Sequence, residues 1–112
     1  MSKSKFYTLK RNHFRYGFTA ENGELICISK FKFGVYKSFI TQNETLQKIW
    51  YVVELESGMS LASAETKQKA IERARNKLSS ISLTLFGNKI TESIKRYGRS
   101  PLYQEGLTLD EN

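Results

Sequence analysis

Residues 49–78, IWYVVELESGMSLASAETKQKAIERARNKL, constrain the fold more than any other stretch. Ile49, Tyr51, Val53 and Leu55 share one parity; Trp50, Val52, Glu54 and Glu56 share the other. That period of two is the mark of a β-strand. Ser57-Gly58 interrupts it, and a short second strand is expected over about Ser60–Ala64. A three-residue loop, Ser57–Met59, sets Leu55 opposite Leu61, whereas a two-residue loop sets Leu61 opposite Glu54. Register follows the apolar pattern, so the longer loop is preferred. The period then changes. Ala70, Ile71, Ala74 and Leu78 recur at three and four, which predicts a helix over about Lys67–Leu78 with one narrow apolar face.

Thr66 is the expected N-cap of that helix, its hydroxyl accepting from a first-turn N–H. The first turn of a helix favours carboxylates, because its exposed N–H groups carry partial positive charge. Here it carries Lys67 and Lys69, while Glu65 lies outside the cap and Glu72 falls in the second turn. Two exposed cations at that end cost roughly 0.3–1 kcal/mol each. A bound phosphate reverses the sign. The plainer account is that both lysines extend into water.

The flanking chain supplies more strands and a second helix. Phe14, Tyr16 and Phe18 alternate with Arg11, His13 and Arg15, so one face is expected to be buried and the other wet and basic. Asn22-Gly23 is a hairpin signal, with a return strand over about Leu25–Tyr36. The opening of that strand is apolar on both parities, which predicts two covered faces and makes Cys27 a small buried hydrophobe. Phe31, Phe33 and Val35 then alternate with Lys30, Lys32 and Gly34. Ser38–Gln47 is polar and reads as a loop. Phe86, Ile90, Ile94 and Tyr97 mark a second helix within 83–97, starting after Asn88 because Gly87 is a weak helix former. Gly98 suits the C-terminal cap, and Pro101 confirms the stop. The expected fold is α+β: an antiparallel sheet of about four strands in two hairpins, then two C-terminal helices packed on one face. Residues 1–99 form one domain, and residues 100–112, acidic through Glu105, Asp110 and Glu111, form a loose tail docking through Leu107 and Leu109 or folding back.

Charge bounds the partners. The chain of 112 residues has a formal net charge of +7. Such a surplus on a small body favours nucleic acid or an acidic protein face. Residues 1–40 hold eight basic side chains against Glu21 and Glu24, most of the surplus. A lone cysteine excludes an internal disulfide and fits a reducing, cytoplasmic setting. MSKSKFYTLKRNHF lacks a following apolar run, so no signal peptide is expected. No segment approaches the apolar length of a membrane span.

Catalytic chemistry finds few candidates. His13 is the only histidine, so no His-rich metal site is expected. A Cys27–His13 dyad would join a core position to a wet one. Glu54 and Glu56 lack a third acid for a hard cation and read as a solvated outer face. The seven glycines are scattered, without a phosphate loop. The chain reads as non-enzymatic, with no cofactor and no metal.

The remaining signal is basic and aromatic. Pairing the leading strands brings Arg11, Arg15, Lys30 and Lys32 toward one face, with Lys10 beside them. The helix adds Lys67, Lys69 and Arg73. Such a face tracks a phosphate backbone with little sequence reading and a steep salt dependence. The hairpin followed by TKQKAIERA (Thr66–Ala74) also resembles the last third of a double-stranded RNA-binding domain. In that family a lysine cluster at the helix start contacts phosphates. Lys67, Ala70 and Ala74 match, while Gln68 and Ile71 stand where the family has lysines, and no amphipathic helix precedes the strands. The resemblance spans about thirty residues and implies only that Lys67 lies on a binding surface. The expected function is sequence-nonspecific binding of a DNA or RNA phosphate backbone. The alternative is a phage or mobile-element accessory protein that regulates a host protein through an acidic surface. Trp50, beside Val52, is the candidate protein interface, and self-association into a homodimer through it is a further option.

Overall fold

Five strands are followed by three helices: β1 (Ser4–Asn12), β2 (Arg15–Ile28), β3 (Phe31–Gln42), β4 (Thr45–Glu54), β5 (Ser60–Ala64), α1 (Lys67–Ser80), α2 (Leu83–Tyr97) and α3 (Pro101–Gln104). The structure is a computed structural model that describes residues 3–12 and 15–104. The strands form one antiparallel sheet in the order β1-β2-β3-β4-β5. The α+β class and the helices after the sheet are as expected from the sequence, with five strands in place of about four. No helix among the described residues is long and apolar enough to cross a membrane.

The turns differ from the expected ones. β1 pairs with β2 as far as Asn12↔Arg15, and the two residues between them, His13 and Phe14, lie outside the described residues. Asn22-Gly23 is strand, not turn. There β2 changes partner, from Ser4↔Gly23 to Glu24↔Val35. Gly23 is required by proximity, since a Cβ there would overlap the Val35 carbonyl. The next turn is Ser29-Lys30, with Ser29 at φ 57°. Ser38–Gln47 is not a loop but the outer part of a long β3–β4 hairpin. It closes at Asn43-Glu44, both at positive φ, as a type I′ turn demands.

The sheet is covered on both faces. On one, Phe33, Val35, Val52 and Ala62 pack against Ala70, Ala74 and Leu78 of α1 and Phe86 and Ile90 of α2. On the other, Phe6 of β1 joins Tyr36, Val53 and Leu55, with Leu102 of α3 against them. The Phe6 ring occupies the space above Gly34, where a Cβ would come within 2.6 Å of it. Burial raises the Tyr36 hydroxyl to about 12, against the lowering effect of its hydrogen bond with Thr8. Ser100 is buried and Leu102 half-buried. Residues 105–112, with the expected acidic and leucine contacts, lie outside the described residues.

Expectations about burial and strand register are corrected at several positions. Cys27 is exposed, as is Leu25, because this part of β2 has only its Ile26 and Ile28 side covered. Tyr16 is also exposed, with its ring 4.4 Å from that of Tyr97 at a tilt of 38°. Leu55 and Leu61 do not pair; strand pairing ends at Val53↔Ser60, with a bulge between Val52 and Val53. The helix ends follow local chemistry. Thr66 accepts from Lys69 N at 3.2 Å, and Ser82, not Asn88, caps α2 by accepting from Leu85 N at 2.9 Å. Helix α2 runs through Gly87 because its apolar face is anchored from Phe86 onward. Gly98 closes it at φ 91°.

Glu54 is buried rather than on a solvated face, and it organises the β4–β5 turn. One carboxylate oxygen accepts from Ser57 N at 2.8 Å and Ser57 Oγ at 2.6 Å; the other accepts from Glu56 N at 2.9 Å. Burial pushes this carboxyl above its ordinary value of 4.5, against the lowering effect of those donors. The folded protein therefore holds the proton more tightly than the unfolded chain does. The carboxyl's contribution to stability is fullest below about pH 4.5 and declines as pH rises through the raised value.

Glu54→Gln should lower stability by about 1–3 kcal/mol near neutral pH, since its NH2 group must oppose one of these donors. Urea unfolding of both proteins across pH tests this. Wild type should lose stability relative to the variant as pH rises above about 4.5. Parallel pH profiles would contradict the assignment. Gly34→Ala should cost about 1–3 kcal/mol by forcing the Phe6 ring aside, read from the same unfolding curves.

Candidate functional site

Ala70, Ala74 and Leu78 set α1 down on the sheet. Small residues at two of these positions let the helix lie close, and the spacing of four turns Lys69, Arg73 and Lys77 along its flank beside β5. β5 is an edge strand, whose free backbone groups need cover. Arg73 Nη1 donates to Ser63 O at 2.9 Å, and Lys77 Nζ donates to Leu61 O at 2.9 Å. Two shallow depressions follow this seam. One, of about 660 Å³, is lined by Ser60, Ser63, Arg73, Asn76, Lys77 and Ser80 among others. The second, of about 370 Å³, is lined by Ile49, Ser63, Ala64, Glu65, Lys69 and Arg73. Along α1 itself five basic residues stand against one carboxylate, Glu72.

The expected basic residues are divided between the faces of the sheet. Lys10 pairs with Glu21 at 3.2 Å, and its ammonium lies 5.8 Å from the Tyr36 ring. It therefore sits with the Phe6 cluster, across the sheet from α1. Lys67 pairs with Glu24 of β2 at 2.6 Å, so the first helical turn carries one compensated cation and one exposed lysine, Lys69. Arg15 is exposed at the head of β2, and Arg11 and Lys32 are engaged with other groups. Lys30 is exposed in the β2–β3 turn, 5.9 Å from the Phe31 ring. Of the eight, Lys69 and Arg73 line one cleft together, and Lys77 extends their row. Lys77 was absent from the sequence-based set, although its spacing of four from Arg73 was the available signal.

Trp50 is half-buried against the helix-side core rather than standing free, and Lys37 Nζ lies 5.8 Å from its ring. Among the described residues, no three His, Cys, Asp or Glu side chains are grouped to hold a metal ion. Glu54, whose carboxyl burial raises above its ordinary value, is fully engaged in its own turn. Compared with protein-family models, with curated proteins and with solved structures, the chain matches none significantly.

The two lysines at the start of α1 should respond oppositely to reversal of charge. Lys67→Glu breaks the pair with Glu24 and should destabilise by about 0.5–1 kcal/mol at low salt, less at high salt. Lys69→Glu complements the helix dipole and should stabilise by about 0.3–1 kcal/mol. Chemical denaturation at two salt concentrations distinguishes them; stabilisation by both would show that the Lys67–Glu24 pair contributes nothing, and destabilisation by both would overturn the dipole argument for Lys69.

Proposed function

We propose that the protein binds nucleic acid without reading its sequence, through phosphate contacts from the Lys69–Arg73–Lys77 flank of α1. The observation that carries this reading is the row itself: three cations four residues apart, lining one seam whose only acid among the described residues is Glu65. Arg73 and Lys77 are each held by a bond to an edge-strand carbonyl, which fixes their position. An arginine has five donors and an ammonium three, so both keep donors for an incoming phosphate. The sequence-based expectation placed the contact on the leading hairpin and the helix start. The proposed contact lies nearer β5, because Lys10 and Lys67 already have carboxylate partners. Phosphate contacts of this kind position a polymer and carry no base information.

Binding of a mixed-sequence oligonucleotide, followed by fluorescence anisotropy across a salt series, tests the reading. The wild-type affinity should fall linearly with salt on a double-logarithmic plot. Each of Lys69→Gln, Arg73→Gln and Lys77→Gln should make that slope shallower by about 0.7–0.9, uniformly across sequences. Salt-independent binding, or slopes unchanged in all three variants, would overturn the reading. So would a nuclease-treated pull-down in which a protein partner is retained and loses its hold when these residues are changed.

A further inference from the structure

Beyond the body of the sheet, β3 and β4 continue alone. β2 pairs with β3 only as far as Val35, and β5 pairs with β4 only over Trp50–Val53. From Ser38↔Ile49 to Gln42↔Thr45 the hairpin is a two-stranded ribbon, about 15 Å long, with no further strand on either side among the described residues. It is nevertheless rich in exposed apolar surface: Phe39 is 56 % and Leu46 66 % exposed. A water-facing ribbon gains nothing from such side chains unless something covers them.

The two faces differ in chemistry. Alternation places Ser38, Ile40, Gln42, Thr45, Gln47 and Ile49 on one face, which carries no charge. Lys37, Phe39, Thr41, Leu46, Lys48 and Trp50 share the other. On this second face cations and aromatic rings alternate across the strands, Lys37 opposite Trp50 and Phe39 opposite Lys48. Lys37 Nζ lies 6.0 Å from the Phe39 ring and 5.8 Å from the Trp50 ring, between the two. Neither Lys37 nor Lys48 has a carboxylate partner among the described residues.

We infer that this face is a stacking platform for unpaired bases, so that the nucleic acid the protein takes is single-stranded. The inference rests on the function proposed above and adds the class of ligand. A nucleotide presents a π-face and an anion within one residue's reach. A platform for it needs rings and cations interleaved on one face, as they are here. In a duplex the π-faces are already stacked on one another and closed to Phe39. The ribbon is also continuous with the cationic flank. Trp50 of this face packs against the helix-side core and pairs with Ala64 of β5, which lines the same cleft as Lys69 and Arg73. A strand whose phosphates follow α1 thus passes onto the base of the ribbon.

The test uses the full chain, an unstructured mixed-pyrimidine oligonucleotide and a duplex containing the same sequence. Trp50 is the only tryptophan, so its emission reports locally. The single strand should bind more tightly than the duplex and quench Trp50. Phe39→Ala should weaken single-strand binding by roughly 5- to 150-fold and leave duplex binding within about twofold. Phe39→Trp should restore it. Phe39 is on the surface, so thermal melting should match wild type. Equal loss for both ligands, loss for neither, or equal affinity of wild type for both would overturn the inference. So would light scattering showing a dimer that Phe39→Ala dissociates, which would make the ribbon a contact between copies. If Phe39→Ala is silent while Lys69→Gln and Arg73→Gln lower the salt slope, the platform falls and the proposed function stands. If wild type binds neither oligonucleotide, both fall.

Discussion

The carboxylate of Glu54 holds the turn at which β1, β3 and the segment before α3 meet. With its oxygens occupied by Ser57 and the Glu56 amide, the turn presents its own backbone outward in fixed directions. Gly58 O accepts from Leu9 N of β1 at 2.8 Å, and Glu56 O accepts from Ser100 N at 2.8 Å. Leu55 N donates to Lys32 O of β3 at 3.1 Å, and Arg99 closes on Glu56 at 2.9 Å. The hairpin β1–β2 and the segment leading to α3 therefore dock on the same few residues. They cover the sheet face that the two long helices leave open. A buried carboxylate is costly unless its lone pairs are filled, so this turn tolerates little change in geometry.

Covering both faces has a consequence for the surface. The apolar residues of β1 are used on the side away from the helices, with Phe6 seated over Gly34. The helix side is closed mainly by alanines of α1 and by the larger side chains of α2. Because Ala70 and Ala74 are small, α1 lies low enough for Arg73 and Lys77 to reach the backbone of β5. The same bonds blunt an exposed strand edge that would otherwise be open to pairing. Edge protection and the placing of the cationic row are thus one arrangement, set by two alanines.

Local chemistry was readable from the sequence, and distant partnership was not. The Thr66 cap, the Ala70–Ala74–Leu78 face and the Gly98 stop depend on residues within a few positions, and each is found. Asn22-Gly23 misled because a glycine needed for close approach to Val35 has the same spelling as one needed for a turn. Ser38–Gln47 lacked the apolar–polar alternation of a half-buried strand because neither of its faces meets the core. Glu54 shares parity with Glu56, and nothing nearby in sequence shows that the turn folds back to bury it. The candidate site divides the same way. Lys69 and Arg73 could be named from helical spacing, whereas the neutralisation of Lys67 by Glu24 joins residues 43 positions apart.

That last pairing bears on how a net charge becomes a surface. All 18 basic side chains contribute to the long-range field that draws in an anion. At physiological ionic strength the field fades over about 8 Å, so contact is decided by the cations nearest the ligand and by their prior partners. Residues 1–40 hold most of the surplus charge, yet Lys10 there pairs with Glu21, while Glu24 is taken up by Lys67 from α1. Each such pair removes a cation from the surface available to a phosphate and strengthens the scaffold only slightly. Arg73 and Lys77 are held instead by neutral carbonyls, which orient them, and neither forms an ion pair with a carboxylate among the described residues. The binding surface is therefore determined less by where the positive residues are densest in the sequence than by which of them the fold anchors without a carboxylate.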